Sequence, residues 1–489
     1  MNLSDRRFDL IDRYSRGVAS KEEVENLESE LEADREFREW YIDYLNIDLA
    51  LNLVISQDLN DTGPFVTQSK RVGKVAMLAI TSVIGCLVAS LVFLAHFKEP
   101  FAVVVKSIGP GEFAAGEEIY SDLFELEQGV LEIKTAFGAN VVIEAPAVFQ
   151  FVSPQLLRLT KGRIAARVPE SAHGFTVETP TGKAIDLGTE FGVDVPEQGE
   201  AEIHVFEGEV IAESSGGKKQ NLVGGEAFSL QTGAGLNRQL RSGAFILPRE
   251  MPLFKSGDSN AQSKASQSIL KRLESDPDLI LLLDFESDDD LPQGKYSMVQ
   301  GRWPGTRAPE FVREGDHMDL EISEETAWPE ISLAAWVRLD RLGEPYQSLL
   351  HTDDWSNSKP GQVHWMITQA NTMRLALFGN QTIPGAELGG YPNSRMSVLP
   401  EQGRWVHLVT VYSSVDRLVR FYVNGQFDNE VQQVTAYPAV FGPSRIGNWN
   451  VRDRTLSGRV DEMLILGRKM DDNEISELFE TGNPYQTIR

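Results

Sequence analysis

The longest uninterrupted apolar stretch of the chain runs from Val75 to Ala95, VAMLAITSVIGCLVASLVFLA, and contains no charged residue. As a helix its 21 residues would extend roughly 30 Å, the thickness of the hydrocarbon core of a bilayer. A buried core helix of this length would normally carry more polar side chains, and a signal peptide would lie at the N-terminus instead of after more than 70 residues. We therefore expect one transmembrane helix over residues 75–95.

Charged residues beside this stretch predict its orientation. Lys70, Arg71 and Lys74 precede it, whereas His96, Lys98 and Glu99 follow it. Positive charges near a transmembrane helix favour the cytoplasmic side of the membrane. The expected location is the inner membrane, with the N-terminus in the cytoplasm and everything from about residue 101 outside it.

Residues 1–66 show apolar positions at helical spacing in three short segments. Ser20 and Glu23 form a capping box for the second segment, and Asp34 is a suitable cap for the third. The third segment carries more aromatic surface than a head of this size needs for its own core. The alternative is a solvated helical face. If the surface binds a partner, the candidate contacts are Phe37, Trp40, Tyr41 and Tyr44.

From residue 101 to residue 236 the pattern changes to short runs in which apolar and polar residues alternate, which predicts an all-β domain. The Lys161–Gly162 pair separates two such runs and predicts a hairpin turn. Asp186, Thr189 and Glu190 could suggest catalysis. We interpret them as turn residues, because glycines flank them and no partner base lies at a fixed spacing.

Residues 237–275 are expected to be a linker, with one or two helical turns over Ile269–Glu274. Residues 276–489 again show strand patterns and predict a second all-β domain. Asn424–Gly425 is the preferred pair for a two-residue hairpin turn. Trp336, Val337 and Trp405 are expected to fill the core of this domain.

Composition narrows the classes of partner and site. The net charge of -26 argues against direct binding of nucleic acid, which requires clustered Lys and Arg, and permits a basic protein partner. The single cysteine, Cys86, lies inside the apolar stretch, which excludes disulfide frameworks and Cys-based zinc sites. The seven histidines show no metal-binding spacing. No cofactor is expected.

Several ordered motifs resemble the FecR family of transmembrane anti-sigma regulators. They are GFTVETPTGKAIDLGTEFGVDV (residues 174–195), VFEGEV (205–210) and Gly224-Gly225-Glu226, together with the helical segment before the predicted membrane helix. The resemblance implies that the head binds an extracytoplasmic-function sigma factor. The head lacks the His and Cys residues of the zinc-binding variety, so a metal-free head is implied.

The distal domain resembles laminin-G-like domains of the concanavalin A-like superfamily. The motifs are ISLAAWVRLD (residues 331–340), GRWVHLVTVYS (403–413), VRFYVNGQ (419–426), SRIGNW (444–449) and SGRVDEMLILGRKMDDNEISELF (457–479). The resemblance implies a jelly roll of two antiparallel sheets. Such domains often bind carbohydrate, sometimes with calcium, and some relatives hydrolyse glycans.

Aromatic residues in loop-like contexts are the candidate ligand contacts, because exposed rings stack on sugars: Trp355, Trp365, Tyr391 and Trp449. Asp353 and Asp354 could contribute oxygen ligands to calcium, but two adjacent acids do not define a site.

Glycan hydrolysis needs two carboxylates that face one glycosidic bond. The nearest candidates, Asp319, Glu321 and Glu324, differ in order from the E-x-D-x-x-E strand of the related glucanases. Asp461 and Glu462 recur in the closing motif of non-enzymatic relatives, where they are structural. We therefore expect no enzymatic activity.

The predicted architecture is a small all-α head, one transmembrane helix, an all-β FecR-like domain and a concanavalin A-like sandwich. The function it suggests is an inner-membrane regulator that controls a sigma factor and senses a glycan or an envelope protein. Two alternatives remain: a membrane-tethered carbohydrate-binding or adhesion protein without sigma-factor control, and a tethered glycan hydrolase.

Overall fold

The computed structural model describes residues 99–486, except 110–112, 198, 231–234, 256–258, 289–290, 354, 356–358 and 383–389. Residues from Glu99 onward form one compact unit. The predicted head, with Phe37, Trp40, Tyr41 and Tyr44, and the predicted membrane helix lie outside the described residues. Within the described part, no helix combines the length and apolar character needed to cross a bilayer.

The first β domain is one branched sheet of fourteen strands, as far as its residues are described. Its central order is β12-β11-β8-β7-β6-β5-β4-β1-β2, with β3, β9, β10, β13 and β14 joined at the side. The strands are β1 (Ala102–Ile108), β2 (Glu118–Ile119), β3 (Leu123–Leu126), β4 (Val130–Thr135), β5 (Asn140–Ser153), β6 (Leu156–Arg167), β7 (Thr176–Thr179), β8 (Gly182–Asp186), β9 (Glu190–Val195), β10 (Glu202–Glu207), β11 (Glu209–Ser214), β12 (Lys219–Val223), β13 (Ala227–Ser229) and β14 (Leu236–Arg238).

Apolar residues at alternate positions of these strands point into one core. This core contains the fully buried rings of Phe149, Phe151, Phe175 and Phe191. The prediction of an all-β domain is confirmed. The hairpin predicted at Lys161–Gly162 is wrong, because β6 continues through this pair and Gly162 is itself paired with β9.

Besides a short two-stranded sheet, β20-β30, the second β domain consists of two large antiparallel sheets. Their orders are β17-β18-β32-β21-β27-β28-β29-β25, with β15 beside β32, and β16-β19-β31-β22-β23-β24-β26. The strands are β15 (Leu279–Leu283), β16 (Gly294–Lys295), β17 (Ser297–Gln300), β18 (Arg307–Phe311), β19 (His317–Glu321), β20 (Ala327–Trp328), β21 (Glu330–Leu339), β22 (Tyr346–Thr352), β23 (Val363–Thr368), β24 (Thr372–Leu377), β25 (Gln381–Thr382), β26 (Asn393–Ser397), β27 (Trp405–Ser413), β28 (Leu418–Val423), β29 (Gln426–Thr435), β30 (Ala439–Val440), β31 (Pro443–Ile446) and β32 (Gly458–Leu466).

The two sheets bury a common core between them, to which β21 contributes Leu333 and Val337. This is the sandwich expected for the domain. Trp336 and Trp405 were expected in that core and lie instead in a cluster on the outer side of the nine-stranded sheet. Trp336 precedes Val337 in the same strand, and successive side chains of a strand point to opposite faces.

Two helices pack on the outer face of the nine-stranded sheet: α1 (Ser259–Leu273) and α2 (Asp472–Gly482). The prediction of only one or two helical turns near Ile269 is wrong, since α1 has 15 residues. Asp471 caps α2 by accepting from the amides of Asn473 and Glu474. Four 3₁₀ turns complete the regular elements described: Glu170–Ala172, Ser242–Ala244, Pro248–Leu253 and Leu399–Glu401.

The remainder of that outer face packs against the first β domain through a buried group of opposite charges. Arg163 of β6 donates to Glu310 of β18 at 3.0 Å, and Arg459 of β32 donates to Glu310 at 3.1 Å. Arg338 of β21 lies 3.3 Å from Glu144 of β5. Burial acts to raise the pKa of Glu310, but Arg163 and Arg459 outweigh burial and hold this pKa well below its usual range.

The segment expected to be a linker, residues 237–275, is part of this contact. Its Arg241 donates to Asp194 of the first β domain at 2.8 Å and to Asp340 of the second at 3.0 Å. Ala244 and Phe245 of the same segment are buried against the first β domain. The segment therefore connects the two β domains along the chain and also fills the space between them.

Candidate functional site

The outer face of the seven-stranded sheet carries a group of aromatic and basic side chains that we call the outer-face cluster. In β23, Val363 and Trp365 point into the sandwich core, so His364 between them points to the outer face. Loops before β23, before β26 and after β31 add further members. The cluster consists of Tyr346, His351, Trp355, His364, Arg374, Tyr391, Trp449 and Arg454.

Two histidines form the centre of the outer-face cluster. His351 of β22 lies directly opposite His364 of β23, with ring centroids 4.1 Å apart. The ring of Trp355 lies 3.9 Å from that of His364, and the ring of Trp449 lies 5.0 Å from it. Tyr391 is 6.3 Å from Trp355, edge to face. The register of two neighbouring strands thus brings together loops that are distant in sequence.

An arginine lies against two rings of the cluster. The guanidinium carbon of Arg454 is 4.5 Å from the ring centroid of Trp449 and 4.7 Å from that of Tyr346, which are cation–π distances. Arg374 of β24 also approaches Tyr346, at 5.8 Å, and donates to Asn393 at 2.7 Å. The cluster therefore combines aromatic surface with positive charge.

Both histidines are buried and uncharged. Nη1 of Arg454 lies 2.9 Å from Nε2 of His351. A guanidinium can only donate, so this Nε2 accepts and the proton of His351 is on Nδ1, facing the hydroxyl of Ser348. Burial lowers the pKa of His351, and His364 and Arg454 lower it further. Burial also lowers the pKa of His364 to about 3, although its contact with the Thr352 carbonyl opposes this change.

Three of the four predicted ligand contacts lie in the outer-face cluster. Trp355, Tyr391 and Trp449 are half-buried and leave part of each ring accessible. The prediction of Trp365 as a ligand contact is wrong, because its side chain is completely buried in the sandwich core and offers no ring face to a ligand. In β23 the inward positions alternate with outward ones, and Trp365 occupies an inward one.

The sequence pattern did not predict five members of the cluster: Tyr346, His351, His364, Arg374 and Arg454. A signal was present, because His364 lies between Val363 and Trp365 in an otherwise apolar run. The pairing of His351 with His364 depends on strand register, and Arg454 comes from a loop about 90 residues after β23. Neither relation can be read from spacing along the chain.

Acidic residues near this face are paired with cations. Asp353 lies 3.8 Å from Arg445, Asp319 lies 2.9 Å from the same guanidinium, and Glu324 lies 2.5 Å from Lys359. Within the described ranges, no three His, Cys, Asp or Glu side chains are grouped so that they could hold a metal ion. Asp354, named with Asp353 for calcium, lies outside the described residues.

The other acidic motifs are built into the fold. Asp461 is buried and accepts from the amide of Arg302 at 2.9 Å, while Glu462 binds the side chain of Arg302 and the hydroxyl of Ser266 in α1. Burial raises the pKa of Asp461 to about 8. In the first β domain, Asp186 is buried and accepts from the amide of Gly188 at 2.9 Å and from the Thr189 hydroxyl.

Comparison with known families assigns both β domains. Residues 314–476 match the family described as the concanavalin A-like lectin/glucanases superfamily, and residues 124–211 match the family described as FecR protein. No curated protein matches the chain in sequence.

Solved structures that match part of the chain include two binding domains. The binding domain of Paraclostridial Mosquitocidal Protein 1 is 13% identical with a TM-score of 0.32, covering 41% of this chain and 52% of that structure. The ligand-binding domain of botulinum neurotoxin serotype D, in complex with N-acetylneuraminic acid, is 11% identical with a TM-score of 0.33, covering 44% and 52%. The chain thus spans about half the length of these structures.

Proposed function

We propose that this chain, in which residues 124–211 match the FecR family and residues 314–476 match the concanavalin A-like superfamily, is a membrane-anchored regulator of an extracytoplasmic-function sigma factor. In this proposal residues 1–66 bind the sigma factor in the cytoplasm, residues 75–95 cross the inner membrane, and the two β domains receive an envelope signal. The observation that carries the proposal is the FecR match over residues 124–211, which lies C-terminal to the 21-residue apolar stretch of residues 75–95.

The laminin-G-like domain supplies the receptor in this proposal. Half-buried aromatic rings beside arginines are a surface that saccharides or protein side chains can contact. A ligand bound there changes the state of the regulator only if it binds one state more tightly than another. Because the two β domains share a buried ion-pair contact, a ligand on the second can act on the position of the first.

Co-purification from the source organism tests this proposal. Full-length protein with a C-terminal tag is solubilised in detergent and isolated from cells. We expect one extracytoplasmic-function sigma factor to co-purify. It should also be recovered when residues 276–489 are deleted, and should be lost when Trp40, Tyr41 and Tyr44 are all replaced by alanine.

Two results would contradict the proposal. The first is recovery of no sigma factor with the full-length protein, and the second is equal recovery by the triple-alanine variant, which would refute the assigned contact surface. Protease protection of the head in spheroplasts checks the proposed orientation, since a cytoplasmic head resists external protease.

A second candidate function is a membrane-tethered carbohydrate-binding or adhesion protein without sigma-factor control. The outer-face cluster favours it as much as it favours the regulator, because both need a ligand surface. Failure of sigma-factor recovery combined with glycan binding would select this candidate. We also propose that the protein is not an enzyme, since the carboxylates of Asp319 and Glu324 are held by Arg445 and Lys359.

A further inference from the structure

Positive charge is concentrated on one part of the outer-face cluster. Arg374 and Arg454 both lie within 6 Å of the Tyr346 ring, at 5.8 and 4.7 Å. Arg452, two residues before Arg454, is exposed beside them. Burial has the largest effect in lowering the pKa of Arg454, and the charges of Arg452 and Arg374 lower it further. The charges of Arg452 and Arg374 thus each act unfavourably on the charge of Arg454.

The contacts of Arg454 are with uncharged groups. Its Nη1 is 2.9 Å from His351 and 4.0 Å from the sulfur of Met366, and its guanidinium lies over Trp449 and Tyr346. Neither Arg452 nor Arg454 forms an ion pair with any carboxylate of the described residues. The nearby Asp453 is turned away, since its Oδ1 accepts from Gly315, Asn448 and Thr455.

This arrangement contrasts with that of the arginines buried between the two β domains. The arginines between the two β domains are each held by carboxylates, as Arg163 is by Asp194 and Glu310. The chain as a whole carries a charge of -26. On such a protein, the Arg452 and Arg454 pair is a local site of positive potential, and a partly desolvated arginine attracts an anion strongly.

We propose that the outer-face cluster binds an acidic saccharide, one that carries a carboxylate or a sulfate, with the anionic group paired to Arg452 and Arg454. The proposal rests on the carbohydrate-sensing role proposed above and names its ligand class. A planar guanidinium binds carboxylate and sulfate through paired hydrogen bonds. The half-buried rings of Trp355, Tyr391 and Trp449 supply apolar surface for the sugar.

A neutral saccharide uses only part of this surface. It can stack on the rings, but it leaves the guanidinium groups without a counter-charge in a partly desolvated place. An acidic protein segment is the competing ligand for the same arginines. The aromatic rings favour a saccharide, because Trp355, Tyr391 and Trp449 offer half-buried ring surface beside the arginines instead of an open strand edge.

The experiment compares acidic and neutral forms of the same polymers on the full-length protein in detergent. The probes are polygalacturonate, its fully methyl-esterified form, dextran sulfate and dextran, and binding is followed by biolayer interferometry with immobilised protein. We expect at least one acidic polymer to bind and both neutral polymers to bind at least about tenfold more weakly, the factor set by a charge-assisted hydrogen bond. The net charge of the protein disfavours unspecific binding of polyanions.

Arginine variants locate the binding. Arg454→Met and Arg452→Met should each weaken binding of the acidic polymer about tenfold or more. Arg452 is exposed, so its replacement leaves the fold intact even if Arg454→Met disturbs the contact with His351. The matched control is Arg420→Met, which removes an exposed arginine of β28 on the other sheet, held by Glu430 at 2.7 Å. It should bind like the wild type.

Each other outcome overturns the inference. Equal binding of neutral and acidic forms would show that charge is not recognised, and would leave the carbohydrate-sensing role standing. Acidic binding that survives both Arg452→Met and Arg454→Met would place the anion elsewhere. Failure of all four polymers to bind a folded protein would refute the ligand class, whereas sigma-factor co-purification would still decide the regulatory role separately.

Discussion

In the outer-face cluster, burial determines the protonation state of the histidines. Histidine ordinarily titrates near neutral pH, yet His364 is 4% exposed and its pKa is about 3. The neutral form of His351 is required by its neighbour, because protonated His351 would direct two cations at each other. The two histidines therefore act as rigid, uncharged support for Trp355, Trp449 and Arg454.

This state of His364 makes the stability of the protein pH-dependent. Its folded pKa of about 3 is below the ordinary 6.5, so the unfolded chain binds more protons between these values. The free energy of unfolding should fall as pH decreases through this window, by up to about 1.4 kcal/mol per pH unit from this group. Comparison of His364→Gln with wild type by urea unfolding at pH 7 and pH 5 checks this. The variant should lose less stability than the wild type, and equal losses would contradict the assignment.

At the scale of elements, strand β6 shows why a local turn signal can mislead. Lys161–Gly162 has turn composition, but Gly162 is needed because β6 runs close past the cis Ala145–Pro146 peptide and Ala147 of β5. The φ of Gly162 is 110°, and a Cβ there would lie 2.6 Å from the Cβ of Ala147. Glycine at this position permits a close approach of two strands and does not reverse the chain.

Replacement of Gly162 by alanine tests this role. Gly162→Ala should lower the free energy of unfolding by about 1–3 kcal/mol from backbone strain, with the steric contact adding to it. Gly217→Ala is the control, since Gly217 also has a positive φ of 79° but a Cβ at that position would meet no atom within 4 Å. The two variants are compared by urea unfolding. Equal losses would show that only backbone conformation matters at Gly162.

At the scale of the whole molecule, sequence motifs do not predict the contact between the two β domains. Each domain has its own core, yet Glu144 and Glu310 join strands of both domains through Arg163, Arg338 and Arg459. Removal of one partner from such a group leaves a buried charge uncompensated, which typically costs about 3–5 kcal/mol. The two domains should therefore unfold together.

Unfolding followed at two places measures this coupling. None of the eight tryptophans lies in the first β domain, so tryptophan fluorescence follows mainly the second, while hydrogen exchange of β5 and β6 follows the first. We expect one urea midpoint for both signals. Glu310→Gln should lower this midpoint strongly. Glu430→Gln, which breaks an exposed ion pair with Arg420, should lower the free energy of unfolding by only about 1 kcal/mol or less. Two separate midpoints in the wild type would disprove coupling.

Sequence by itself determined the features that depend on local pattern. Alternation of apolar and polar residues predicted both β domains, and Asn424–Gly425 predicted the turn that joins β28 to β29, with φ of 50° and 72°. Motifs in order predicted the FecR and laminin-G-like domains, which the family comparisons confirm. Loop aromatics led to Trp355, Tyr391 and Trp449, because rings in such contexts tend to remain accessible.

Only the tertiary structure decided which face a residue occupies and which distant groups meet. A shift of one position exchanges core and surface in a strand, so Trp365 and Trp336 were assigned to the wrong faces. Strand register placed His351 opposite His364, and chain closure brought Arg454 onto Tyr346, about 110 residues earlier. Ion pairs across the domain contact join residues more than 140 positions apart, such as Arg163 and Glu310, and such pairing depends on three-dimensional proximity that no local pattern encodes.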